Sequence, residues 1–186
     1  MTRRGRPAAL LAAMLLALPA GAQQAEQGAG LDDLLVGEMA RLQVGTQPVA
    51  SAAFTGANGA PMTLEDFAGK HVLVNFWAPW CAPCREEMPE LSDLQSELGG
   101  EAFEVVTIAV GRNRPDTMAR FLDEVGAGNL PLHTDPASRL SGAMGALGLP
   151  VTVLVDTEGR EIARLQGAAD WASPEALALI RHLSDQ

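Results

Sequence analysis

The sequence predicts an α/β domain, one mixed β-sheet with helices on both faces. Three observations predict it. Short β-branched or aromatic runs alternate with helical apolar spacing in the order β-α-β-α-β-β-α. The first two strands flank a helix, which makes them parallel, whereas the last two are joined by a four-residue turn, which makes them a hairpin. At 186 residues the chain is long enough for one such domain plus an N-terminal extension.

Residues 1–22 read as a secretory signal peptide. Arg3, Arg4 and Arg6 precede an apolar run from Ala8 to Leu18, then Pro19 and the small residues Ala20, Gly21 and Ala22. The competing reading is a retained membrane anchor, for which the run is short, since spanning a bilayer takes ~20 apolar residues. Cleavage after Ala22 removes three arginines and no acids and takes the formal charge from −10 to about −13. Such an acidic surface repels phosphate backbones, so nucleic acid is excluded as a partner.

Residues 23–45 read as a polar linker and a short helix, the helix resting on Leu31, Leu34, Leu35 and Met39, and the folded domain is set at 46–186. Phe54 and Met62 flank Asn58-Gly59, the signal of an N-terminal hairpin. Thr63 and Asp66 suit a capped helical turn. Residues 71–77 (HVLVNFW) are a buried strand, and 83–98 are a helix that Pro89 should kink. Residues 104–110 are a second strand, 116–125 an inserted central helix, and about 137–147 another short helix. Residues 151–155 and 161–166 form the last two strands. Ser173-Pro174 opens the final helix, with serine capping and proline in the first turn.

The chemistry-bearing segment is Trp77-Ala78-Pro79-Trp80-Cys81-Ala82-Pro83-Cys84, at the strand-to-helix junction. The chain has two cysteines, and a three-residue spacing closes too small a loop to stabilise much. A lone close pair therefore points to redox work. Cys81 falls at a helix N-terminus, where free N–H groups and the macrodipole favour a thiolate. Cys84 lies one turn in, more shielded. Cys81 is the attacking thiolate and Cys84 the resolving thiol. Structural zinc needs about four ligands, and His71, His133 and His182 show no ligand spacing. Cu(I) on both thiolates, assisted by His133 or a methionine, is the more credible metal reading.

Residues 72–89, VLVNFWAPWCAPCREEMP, resemble the active-site segment of thioredoxins and more closely that of the exported thioredoxin-like proteins TlpA, ResA and CcmG. The likeness runs from about Val49 to Leu183. The stretch Gly167-Ala168-Ala169-Asp170-Trp171 looks most like TlpA. The resemblance implies a thioredoxin-like fold and a thiol–disulfide oxidoreductase with no cofactor beyond the Cys81–Cys84 disulfide. It implies that Pro150 is the cis-proline facing the cysteines, with Leu149 and Trp80 contacting substrate; read from the residues alone, Pro150 is equally a strand-start proline. Where thioredoxins carry a buried aspartate this chain has Asn75, which cannot titrate. The TlpA-like group places a glutamate at the position of Glu87, which would act as base for Cys84; the bland alternative makes Glu86 and Glu87 two surface acids. Ala82 and Pro83 tune the redox poise.

The resemblance further implies a periplasmic reductase; nothing in the sequence points to an oligomer, and a monomer is expected. It would take electrons from a membrane donor protein and pass them to an oxidised dithiol protein, apocytochrome c or an oxidase copper-site protein. The alternatives are a disulfide-forming oxidant or isomerase, and a Cu(I) chaperone using the same cysteines.

Overall fold

The computed structural model describes residues 31–185; the expected leader and the start of the linker lie outside them. The chain order is α1 (Leu31–Leu34), a 3-10 turn (Gly37–Arg41), β1 (Gln43–Pro48), β2 (Phe54–Thr55), β3 (Pro61–Met62), a 3-10 turn (Leu64–Phe67), β4 (His71–Trp77) and α2 (Ala82–Leu98). Then come β5 (Phe103–Val110), α3 (Pro115–Glu124), β6 (His133–Asp135), α4 (Arg139–Ala143), β7 (Val151–Val155), β8 (Arg160–Gln166) and α5 (Pro174–Ser184). The eight strands make one sheet in the order β1-β8-β7-β4-β5-β6-β2-β3. β4 is parallel to β5 and antiparallel to β7, and β7–β8 is an antiparallel hairpin.

The pleat of β4 divides the core. Leu73 and Trp77 point to one face, where α2, α3 and α5 bury Met88, Leu91, Phe121 and Leu179. Val72, Val74 and Phe76 point to the other, against Phe54, Leu64, Leu140 and Met144. Asn75, between Leu73 and Trp77, falls on the α2 face. Thr152, its direct partner across β7, falls there too.

The structure departs from the sequence reading at three places. The helix expected over Leu31–Ala40 is two short pieces, because Gly37 takes a left-handed φ of 56° and breaks it. Residues before 46 are part of the fold: Met39 and Leu42 are buried in the core, and β1 pairs with β8 from Gln43 onward. The helix expected over 137–147 is only Arg139–Ala143. His133 opens β6 beside β5. The hairpin around Asn58-Gly59 is present as β2–β3, and the Thr63 N–H donates to the Asp66 carboxylate at 2.7 Å.

Candidate active site

β4 delivers the motif and α2 receives it. Cys81 caps α2, and its sulfur accepts the Cys84 N–H at 3.3 Å. The two cysteines are disulfide-bonded, with Cα atoms 5.3 Å apart. Cys81 is 5% exposed and Cys84 fully buried, so Cys81 is the less enclosed of the two. Ala82 and Pro83 lie exposed on the first turn. Trp80 stands 75% exposed beside Cys81, whereas Trp77 is fully buried and stacks on Phe121 at 5.0 Å between ring centres. Arg85 lies over the outer side of that same ring, 4.6 Å from its centre, and pairs with Glu124.

The Leu149–Pro150 peptide is cis. Val151 pairs with Phe76, so the next register step places Pro150 beside Trp77, at the end of β4 where the motif begins. Pro150 is buried and Leu149 half-buried.

Glu86 and Glu87 have separate fates. Glu86 is exposed; Glu87 is 1% exposed, one helical turn after Cys84. Its Oε1 accepts Asn75 Nδ2–H at 2.8 Å, and its Oε2 accepts the Ala169 N–H at 3.4 Å. Burial pushes its pKa up to about 7 against these donors, which pull it down. The nearby Trp171 indole also favours the anion, although its N–H is outside hydrogen-bonding geometry, and the Glu90 charge disfavours it. Asn75 also donates to the Thr152 hydroxyl at 3.0 Å. The sequence reading treated Asn75 only as a lost acid. Its partner was signalled by position alone, since Asn75 lies on the strand face that meets α2.

His133 is not near the cysteines. Its ring packs edge-on against Phe54 and Phe67 on the opposite sheet face, and its Nδ1 accepts the Ala57 N–H at 3.1 Å. That contradicts the expectation that His133 could assist a metal at the thiolates. Among the described residues no three or more His, Cys, Asp or Glu side chains form a metal-holding group.

A Cys-X-X-Cys pair in its dithiol form passes two electrons and two protons to a second pair in its disulfide form, and in its disulfide form it accepts them. On this sheet, with an X-Pro cis peptide alongside, it defines a thioredoxin-fold thiol–disulfide oxidoreductase. The chain belongs to the Redoxin family, whose model matches residues 43–180.

It is 38% identical over 109 residues to the thiol:disulfide interchange protein HelX of Rhodobacter capsulatus, covering 58% of this chain and 59% of that one. It is 33% identical over 126 residues to the thiol-disulfide oxidoreductase ResA of Halalkalibacterium halodurans, covering 66% and 69%. The chain therefore spans about three fifths to two thirds of the length of these relatives. Among solved structures, a secreted thiol-disulfide isomerase from Corynebacterium glutamicum superposes with a TM-score of 0.67 at 23% identity, over 78% of this chain and 93% of that one. These matches bear out the thioredoxin-like fold and the likeness to the TlpA, ResA and CcmG group.

Proposed function

We propose that the protein is a periplasmic reductase of specific protein disulfides. In this reading residues 1–22 export it, and a membrane protein supplies its electrons. The observation that carries the reading is the buried Glu87 carboxylate, held by Asn75 one turn beyond the enclosed sulfur of Cys84.

The reduced protein carries a Cys81 thiolate and a Cys84 thiol. The thiolate attacks one sulfur of the substrate disulfide, forming a mixed disulfide and releasing the other sulfur as a thiolate that takes a proton from water. Trp80, Leu149 and Pro150 hold the substrate segment against Cys81. Glu87 accepts the Cys84 proton, and the new thiolate attacks the Cys81 sulfur. The substrate departs as a dithiol, and the protein is left with the Cys81–Cys84 disulfide. The membrane donor then restores the dithiol.

The electrostatics favour donation of electrons over acceptance. A strongly oxidising pair needs a stabilised thiolate. Here the Cys81 sulfur accepts one backbone N–H, from Cys84, and Pro83 supplies none. So sparse a set of donors favours the disulfide, which makes the dithiol a reductant. Apocytochrome c or an oxidase copper-site protein suits this role as substrate, with the chain acting as a monomer.

The deciding measurement is the reduction potential, by equilibration with dithiothreitol or glutathione. A value near or below ~−270 mV supports the reductase; a value near ~−120 mV overturns it in favour of disulfide formation.

A further inference from the structure

The turn before β1 reaches across the molecule to the loop that holds Glu87. Arg41 donates from Nη1 to the Ala168 carbonyl at 2.9 Å and from Nη2 to the Gln166 carbonyl at 3.3 Å. Glu38 accepts the Asp170 N–H at 3.0 Å. Between these anchors lies Ala169, whose N–H donates to Glu87. Met39, fully buried, pins the turn to the core between its two polar residues. Gly167 turns the loop with a φ of 91°, and a Cβ there would come within 3.3 Å of the Arg41 guanidinium. The close approach of Arg41 thus relies on a residue without a side chain.

We infer that Glu38 and Arg41 are positioning residues for Glu87, fixing the 166–170 backbone so that the Ala169 N–H stays on the carboxylate. The inference rests on the reading of Glu87 as the acid–base group of Cys84. The groups facing Glu87 are Asn75 from β4, Ala169 and Trp171 from the loop, and Glu90 from α2. Asp170 and Glu38 face Glu90 in turn. Arg41 reaches Glu87 through the loop backbone, as a clamp on a donor.

The test is the pH dependence of mixed-disulfide resolution, measured on the full chain carrying glutathione on Cys81. Release of glutathione by Cys84 should rise with pH as Glu87 ionises. In R41A the Ala169 donor drifts, the anion loses support, and the rise should move up by ~0.5 pH unit, about three-fold slower release near pH 6. R41K should restore part of the shift, because an ammonium can bond one carbonyl but not fork across two. The rate at which the reduced protein attacks glutathione disulfide through Cys81 should not change. If R41A does not fold, E38Q weakens the acceptor of the Asp170 N–H and should shift the profile in the same direction. A wild-type profile in R41A, or in E38Q where R41A does not fold, overturns the positioning role when E87Q has moved the rise to the higher pH at which Cys84 ionises unaided. A rise in E87Q at the wild-type pH overturns the acid–base reading of Glu87 and this inference with it.

Discussion

Glu87 is held by an amide and not by a cation, and its protonation follows from that choice. An arginine in place of Asn75 would keep the carboxylate ionised at any physiological pH; a neutral donor offsets only part of the desolvation. The carboxyl titrates at about 7 in the folded protein against 4.5 in an open chain. Below the lower value it is neutral in both states. Between the two values the unfolded chain ionises first, and above about 7 the fold carries a buried anion that water would otherwise solvate. Folding stability therefore falls as pH rises through this window. E87Q should be more stable than the parent at pH 8 by about 2 kcal/mol, the full desolvation gain being reduced because its amide N–H faces the Ala169 N–H. The gain should vanish below pH 4.5. Chemical denaturation at a series of pH values measures it, and an unchanged difference across that range would contradict it. The same variant should resolve mixed disulfides more slowly, so stability and activity move in opposite directions.

At the scale of elements, the 166–173 loop ends where α5 begins. The Ser173 hydroxyl accepts the Ala176 N–H at 3.3 Å and donates to the Asp170 carbonyl at 2.8 Å. S173A should cost about 1 kcal/mol in urea denaturation, the ordinary loss for a helix cap. This cap was legible in the sequence, as were β4, β5 and β7, because continuous apolar β-branched runs have few other uses. β1 was not legible. All six residues of QVGTQP are exposed, so no apolar periodicity marks them, and backbone pairing with β8 alone makes them a strand. β6 is three residues long, HTD, too short for any period to register. In the site, the cysteine pair was readable from its motif, whereas the cis bond before Pro150 was expected only from the family resemblance. The Glu87–Asn75–Thr152 chain was not readable, because it joins α2 to two strands through side chains far apart in sequence.

At the scale of the molecule, the sheet draws its strands from residues 43 to 166. β1, from the beginning of the fold, lies on β8, from near its end, and β2 and β3 close the opposite edge. Residues before 46 are thus structural. M39A removes a fully buried side chain and should cost about 3 kcal/mol. V44T, at a half-exposed edge position, should stay within about 0.5 kcal/mol. A chain begun at residue 46 should lose more than M39A does, since it forfeits Leu42 and Arg41 as well. Comparing its denaturation midpoint with that of a chain begun at residue 31 checks this, and equal midpoints would return the domain boundary to 46.

The Arg41 clamp also has a calendar. Its hydrogen bonds join residues 125 and 127 positions apart in the chain. At ~5–20 residues per second, a ribosome finishes Cys84 several seconds before it makes Ala169. For that interval both thiols exist without the loop that holds Glu87 in place. The Ala169 donor is fixed only once residues 166–170 have been made and laid against Glu38 and Arg41.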